Sequence, residues 1–160
     1  MRPIATFITL LLLIGFSATI QAQDWKSYTW DDYSTSFQIP ADFVVSDSSA
    51  TKFTAANSHI LMSIYPRTDE NLTWDEMGET LKTWSTDNGV LIESDVIELD
   101  EEKMNGYQGV LIEGTKDDYA IGTMLIVDPD YVDISLYIWV SYDPDYVDTV
   151  IEMLMSFTPM

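Results

Sequence analysis

The sequence has no cysteine and only one histidine, His59, in 160 residues. Without cysteine, no disulfide can stabilise the fold and no thiolate can act as a nucleophile or a metal ligand. A single histidine also excludes the Cys- and His-rich sites that hold structural zinc. A Ser-His-Asp triad would depend on His59, yet no G-x-S-x-G motif, phosphate-binding loop or dinucleotide fingerprint is found. Catalysis by these routes is therefore not expected.

Basic residues are also scarce, with seven Lys and Arg against 27 Asp and Glu and a net charge of −20. Nucleic acids and anionic membrane surfaces attract proteins through Lys and Arg, so neither is an expected partner. An unknown protein, a small ligand or a weakly bound divalent cation is compatible with this charge. A high net charge also keeps exported proteins soluble without any partner.

The only long apolar run lies at the N-terminus, within residues 1–22. The basic Arg2 precedes an apolar stretch over residues 4–16, and small or neutral residues follow to Ala22. This pattern is typical of a secretory signal peptide cleaved near Ala22, and the run is shorter than the roughly 20 residues of a membrane-spanning helix. A lipoprotein signal is excluded because it requires cysteine. We expect export to the periplasm or the extracellular space, leaving a single domain at 23–160.

The rest of the sequence predicts an α+β fold. Thr73 and Glu76 have the spacing of a capping box, apolar residues follow at helical spacing, and Asn88-Gly89 supplies a helix stop. The two helices are predicted at about 73–87 and 144–156. Strand-like segments lie at 25–39 (a hairpin around Asp31-Asp32), 51–55, 59–65, 90–98, 108–115, 119–127 and 131–141. Their short connections favour a central antiparallel sheet of six to seven strands, covered by the helices.

Three short motifs resemble those of the PsbP-like superfamily, which includes the DcrB proteins and many secreted bacterial proteins. They are the F-x-I-P-x-x-F segment at 37–43, the glycine-containing segment at 105–109 and the S-F-x-P segment at 156–159. The resemblance extends over 25–159. It implies a sandwich around an antiparallel sheet and a binding or accessory role without catalysis. A cystatin or NTF2-like fold is the alternative.

Aromatic residues are numerous, with five Trp and nine Tyr. Tyr137 and Trp139 alternate onto the same face of the strand at 131–141, where they could bind a sugar or a peptide. The competing interpretation is that Trp74 and Trp84 of the first helix pack onto this face. We favour packing because aromatic residues at helical spacing usually belong to the core.

The hexapeptide DPDYVD occurs twice, at 128–133 and 143–148. Asp128, Asp130 and Asp133 of the first copy are candidate calcium ligands, but neither copy has the Gly and Glu that an EF-hand loop requires. The first copy fits a type I turn between strands. The second places Asp143 at a helix N-cap and Pro144 at the first helical position. A weak calcium site remains an alternative to this structural role.

These observations favour a secreted, non-enzymatic binding or accessory domain without a cofactor. One alternative is a carboxylate-dependent hydrolase of an extracellular polymer, and another is a low-affinity calcium-binding structural protein. A deep, aromatic-lined cleft with two facing carboxylates would favour the hydrolase. A shallow surface would favour the binding domain.

Overall fold

The computed structural model describes residues 23–160, so the predicted signal peptide lies outside the described residues. The helices are α1 (Trp74–Asp87) and α2 (Val147–Met155), and 3₁₀ turns lie at Asp31–Tyr33 and Pro144–Tyr146. The strands are β1 (Trp25–Trp30), β2 (Thr35–Pro40), β3 (Val44–Ser49), β4 (Lys52–Ala56), β5 (Ile60–Thr68), β6 (Leu91–Ile92), β7 (Ile97–Leu99), β8 (Gln108–Lys116), β9 (Tyr119–Val127), β10 (Ile134–Tyr142) and β11 (Thr158–Pro159). None of the helices in this part of the chain is long and apolar enough to cross a membrane.

The strands form two antiparallel sheets. The large sheet has eight strands in the order β3-β4-β5-β10-β9-β8-β6, with β7 also paired to β8, and the small sheet has the order β1-β2-β11. The predicted α+β class, with a large antiparallel sheet and two helices, is confirmed. The large sheet has more strands than predicted for two reasons. The edge strand β3 is polar and mostly exposed, and the segment at 90–98 forms two short strands.

One face of the large sheet is covered except at the edge formed by β6 and β7. The small sheet and α2 pack against it, and the side chains between them form the larger core cluster. Phe53 of β4 and Phe37 of β2 meet there with ring centroids 5.1 Å apart, and Phe37 stacks on Phe157 at 4.7 Å. Successive side chains of β10 point to opposite faces of the sheet, so Leu136, Ile138 and Val140 all lie on this face.

Helix α1 packs on the opposite face, against β8 and β9. Its predicted boundaries are confirmed. The Glu76 carboxylate accepts hydrogen bonds from the backbone N–H and the hydroxyl of Thr73, at 2.9 and 2.7 Å. Gly89, at φ +84°, follows the last turn. Met77 and Leu81 are the apolar residues of α1 that are buried completely. The main contacts of α1 are with β6, β8 and β9, so the same face of β3, β4 and β5 lies mostly beyond the helix, and we call it the open part of the sheet.

The two copies of DPDYVD have different structural roles, as predicted. In the β9–β10 turn, the N–H of Tyr131 donates to the carbonyl of Asp128 at 2.9 Å. The turn occupies the whole hexapeptide, so β10 begins at Ile134 and not at the predicted residue 131. The second copy forms the 3₁₀ turn that leads into α2. The expected capping role of the Asp143 side chain is wrong, because its carboxylate contacts His59 and caps no helical N–H.

Candidate functional site

Four aromatic rings meet where the open part of the sheet borders α1. Trp84 of α1 lies 6.1 Å from Tyr65, 5.2 Å from Tyr137 and 6.3 Å from Trp139, measured between ring centroids. We call these four residues the open aromatic face. Tyr137 is completely buried, whereas the other three are half-buried and reach the surface.

Strand register explains this grouping. In the β5–β10 pair, Tyr137 lies opposite Tyr65 and Trp139 lies opposite Ser63. Residues opposite each other in an antiparallel pair project on the same side, so both aromatic residues of β10 share a face with Tyr65. The structure therefore brings Tyr137 and Trp139 together, with Trp84 packed beside them as the core-packing interpretation required. A role of Tyr137 and Trp139 in ligand binding stays a prediction.

Three basic side chains lie over these rings. The Nζ of Lys52 is 5.3 Å from the centroid of Tyr65, the Cζ of Arg67 is 4.6 Å from that of Tyr137, and the Nζ of Lys116 is 5.4 Å from that of Trp139. These distances fit cation–π interactions. Residues 23–160 contain six basic residues against 27 acidic ones, a net charge of −21. Half of the basic residues thus lie on one small part of a highly acidic protein.

A group of hydrogen bonds holds Tyr137, the most buried ring of the open aromatic face, in position. The Tyr137 hydroxyl donates to the Glu70 carboxylate, at 2.8 and 3.1 Å from its two oxygens, and Arg67 lies 3.3 Å from the same carboxylate. Burial raises the pKa of Tyr137, and the hydrogen bond and charge of Glu70 raise it further. The phenol therefore stays a protonated donor. This group joins the segment before α1 to β10 and positions the ring that Arg67 covers.

A groove of about 530 Å³ runs beside the open aromatic face. Trp84 and Tyr137 form its aromatic part, and Arg67 lies at its edge. Its other wall is acidic and belongs to α1, with the side chains of Asp75, Glu76, Glu79 and Asp87. The charged side chains of the groove are therefore mainly acidic, and its one basic residue, Arg67, is paired with Glu70.

The four acidic side chains of this groove all belong to α1 and line one wall of it. Glycosidase carboxylates flank the bond that they cleave, whereas Asp75 and Glu79 lie one turn apart on a single helix. Hydrogen bonds from Thr73 lower the pKa of Glu76, while a general acid needs a raised value. The groove is open to solvent.

The candidate calcium ligands lie in the β9–β10 turn, where the carbonyl of Asp133 accepts a hydrogen bond from the N–H of Asp69 at 2.8 Å. One oxygen of Asp128 already accepts a hydrogen bond from the N–H of Asp130 at 2.9 Å. Within residues 23–160, no group of three or more His, Asp or Glu side chains converges in a way that could hold a metal ion. The calcium hypothesis for Asp128, Asp130 and Asp133 stays a prediction.

Sequence reasoning missed the cations of the open aromatic face. Lys52, Arg67 and Lys116 belong to three different strands and lie far apart in the sequence. No local pattern connects them. The available signal was the alternation of β4 and β5, which assigns Lys52, Tyr65 and Arg67 to one face once the pairing of these strands is known.

No protein-family model and no curated protein sequence matches the chain. Several solved structures are similar to it. The cyanobacterial PsbP of Synechocystis sp. PCC 6803 has 14% identity and a TM-score of 0.61, over 92% of this chain and 99% of that one. The Saccharomyces cerevisiae Ran-binding protein Mog1p has 11% identity and a TM-score of 0.54, over 86% of this chain and 96% of that one. A Bacteroides thetaiotaomicron protein has 8% identity and a TM-score of 0.52, over 84% and 48%.

Identities this low show the fold and nothing further. The chain has a PsbP-like fold, as its short motifs indicated. The comparisons therefore support this fold over the cystatin or NTF2-like alternative.

Proposed function

We propose that this protein is an exported, non-catalytic binding domain, and that its open aromatic face binds a protein partner through an acidic and apolar segment. One observation carries the proposal. In a protein with a large negative charge, four aromatic rings and half of the basic side chains of residues 23–160 gather where the sheet extends beyond α1, and three of the four rings reach the surface.

The residue types are those that dominate protein interfaces. Trp, Tyr and Arg are enriched at the centres of binding surfaces because they combine large apolar area with hydrogen-bonding groups. Trp139 and Tyr65 supply partly exposed rings, and Leu61 adds exposed apolar surface on the same side of β5. A partner that covers them would gain apolar contact area without a large rearrangement of the sheet.

Charge selects the kind of partner. Lys52 attracts carboxylates, whereas Arg67 is already paired with Glu70 and the α1 wall, with Asp75 and Glu79, repels them. An acidic segment would therefore lie over β4, β5 and β10 and stay away from the acidic side of the groove. Lys52 forms no ion pair with any residue of the described range 23–160, so its ammonium is available to a carboxylate.

The comparisons support the class of function. Mog1p, a Ran-binding protein, shares the fold, so this fold serves protein binding in at least one other chain. The partner here need not resemble Ran, because the identity is 11%. The signal-peptide pattern of residues 1–22 is what supports an exported partner.

A peptide selection tests the proposal although the partner is unidentified. Residues 23–160 would be immobilised and used to select from a displayed library of random peptides. We expect enrichment of Asp and Glu next to Trp, Phe or Leu. A labelled selected peptide would then be titrated by fluorescence anisotropy, and its binding should weaken as salt increases because exposed charges are screened.

Two lysine variants make the test specific. Lys52→Glu reverses a charge on the open aromatic face and should weaken peptide binding about tenfold, which corresponds to about 1.4 kcal/mol. Lys103→Glu makes the same charge change at an exposed residue paired with Asp100, away from the face, and should leave binding unchanged. Selected peptides that bind both variants as tightly as the parent protein would contradict the proposal.

The hydrolase and the calcium-binding protein stay predictions, since no contact within the described residues specifically favours either one.

A further inference from the structure

A second cavity, of about 270 Å³, lies between the β9–β10 turn and the tip of the β1–β2 hairpin. It shares no lining residue with the groove beside α1. Three phenol rings and two carboxylates line it, above an aliphatic floor that includes Ile134, and they belong to Tyr33, Tyr107, Tyr131, Asp32 and Asp128. None of the residues that line this cavity is basic.

The second copy of DPDYVD shows what this hexapeptide can bind. Asp143, its first residue, places a carboxylate oxygen 2.8 Å from Nδ1 of His59. Tyr146, its fourth residue, stacks on the His59 imidazole with ring centroids 4.3 Å apart and an angle of 13° between the planes. The aspartate and the tyrosine together hold a flat, nitrogen-containing group, one by its N–H edge and the other by its face.

The first copy shares one backbone hydrogen bond with the second, although the second leads into a helix and the first joins two strands. The N–H of Tyr131 donates to the carbonyl of Asp128 at 2.9 Å, and the N–H of Tyr146 donates to that of Asp143 at the same distance. By position in the hexapeptide, Asp128 and Tyr131 correspond to the pair that holds His59, and the Asp128 carboxylate accepts the N–H of Asp130 through one of its two oxygens. Both of them line the cavity, and Tyr131 is 62% exposed. Where the second copy holds a side chain of the protein, the first copy presents its carboxylate and ring to a cavity.

The charged side chains that line the cavity are both carboxylates, so the cavity favours a cation over an anion. Burial raises the pKa of Tyr107, and the charge of Asp128 adds to this increase, against the effect of a hydrogen bond with Thr35. Burial likewise raises the pKa of Tyr33, and Asp32 raises it further. The phenols thus stay neutral beside two carboxylates. A cation in the cavity would face rings and carboxylates at the same time.

We propose that this cavity binds an organic cation, meaning an ammonium or guanidinium group carried on an apolar body, with Asp128 and Tyr131 as its main contacts. Aromatic rings attract such cations through their negative faces, most strongly where water is excluded. A bare metal ion fits less well. Calcium needs six to eight oxygen ligands, and no three carboxylates converge among residues 23–160.

Titrations followed by ¹⁵N NMR test this proposal with defined probes. The cationic probes are choline, Nα-acetyl-lysine methylamide and Nα-acetyl-arginine methylamide. The neutral isostere of choline, 3,3-dimethylbutan-1-ol, serves as the control. We expect at least one cation to shift the amide signals of Tyr33, Asp130 and Tyr131 saturably, with a dissociation constant on the order of 1 mM. The neutral isostere should leave these signals unchanged.

The identity of the probe that binds most tightly also distinguishes two sources of the ligand, a free amine and a basic side chain of a polypeptide. Choline as the preferred probe indicates a free quaternary amine, whereas one of the two amino-acid amides indicates a Lys or Arg side chain. Either result supports the proposal.

Variants locate the site. Asp128→Asn keeps an oxygen that can accept the N–H of Asp130, and Tyr131→Ala removes an exposed ring, so both variants should fold. Each should weaken cation binding about tenfold or more. Asp130→Asn is the matched control, because it removes the same charge from the same turn at a residue that does not line the cavity.

Several outcomes would overturn the proposal. One is that no cation shifts these amides, or that the neutral isostere shifts them as strongly as choline. Another is that Asp130→Asn weakens binding as much as Asp128→Asn. A third is that calcium chloride shifts the same amides while all three organic cations leave them unchanged.

Discussion

The two faces of the large sheet are built from the same strands but are covered differently. On β10, Leu136, Ile138 and Val140 are sealed under the small sheet and α2, while Trp139 on the other side reaches solvent. Geometry accounts for the difference. Strands are spaced about 4.8 Å apart and a helix is about 10 Å wide, so a single helix covers only two or three strands.

A sheet of eight strands with one helix on a face must therefore leave part of that face open. The composition of the open part then indicates its use. Thr54, whose hydroxyl lies 3.1 Å from that of the buried Ser63, is an ordinary residue for such a position. Aromatic rings with basic side chains above them are unusual for a solvated face. Their presence is what distinguishes a binding surface from a surface that only contacts water.

The largest expected effect compares two aromatic residues on adjacent strands. Phe53 is completely buried on the covered face, with Tyr28, Trp30 and Phe37 around its ring, whereas Tyr65 is half-buried on the open side. Phe53→Ala should lower the free energy of unfolding by about 3–5 kcal/mol. Tyr65→Ala should lower it by about 1 kcal/mol, the usual cost of a partly exposed truncation. Urea denaturation measures both, and equal losses would break the contrast between the faces.

A smaller effect is expected at the floor of the open aromatic face. Tyr137→Phe removes the hydroxyl that bonds Glu70, and it should cost about 1.5 kcal/mol at neutral pH, since the carboxylate keeps Arg67 and partial access to water. This is again measurable by urea denaturation. A variant as stable as the parent protein would mean that the contact does not anchor the segment before α1.

The same tyrosine predicts a dependence on pH. Its pKa is raised in the folded state, so above the ordinary tyrosine value of about 10 the unfolded chain loses a proton that the folded protein retains. Stability is therefore complete below about pH 10 and falls as the pH rises further, by up to about 1.4 kcal/mol per pH unit for each retained proton. Tyr107 and Tyr142, whose pKa values burial raises, contribute in the same direction.

Tyr137→Phe should make this alkaline loss smaller. Denaturation curves recorded between pH 9 and pH 11 would show it. An identical slope in the parent protein and the variant would contradict the assignment of the retained proton to Tyr137.

The smallest effect on stability is expected at Lys52. Its ammonium lies on the open side over the ring of Tyr65, so Lys52→Glu should change the free energy of unfolding by no more than about 0.5 kcal/mol. Thermal and urea denaturation both measure this change. A loss of several kcal/mol would show that the lysine is structural and would remove it from the proposed binding surface.

Local signals allowed much of the fold to be predicted. The limits of α1 followed from Thr73, Glu76 and Gly89, because capping depends on neighbours in sequence. Strand β9 was predicted over its full range of 119–127 for a similar reason, since polar turns bound it on both sides. The edge strand β3 gave no such signal, because Ser and Asp fill most of its positions.

The features missed were those that depend on distant residues. Asp143 has the type and position of an N-cap, but His59 lies 2.8 Å from its carboxylate, and this contact could not be read from the local sequence. The gathering of Lys52, Arg67 and Lys116 over aromatic rings likewise depends on the pairing of strands and not on any segment of the chain.

The indole N–H signals of the tryptophans test the central claim most directly. Trp84 and Trp139 belong to the open aromatic face, whereas Trp30 is buried on the covered side. In a ¹⁵N NMR titration with a selected acidic peptide, the signals of Trp139 and Trp84 should shift and that of Trp30 should stay in place. A shift of Trp30 with no change at Trp139 would contradict binding at the open face.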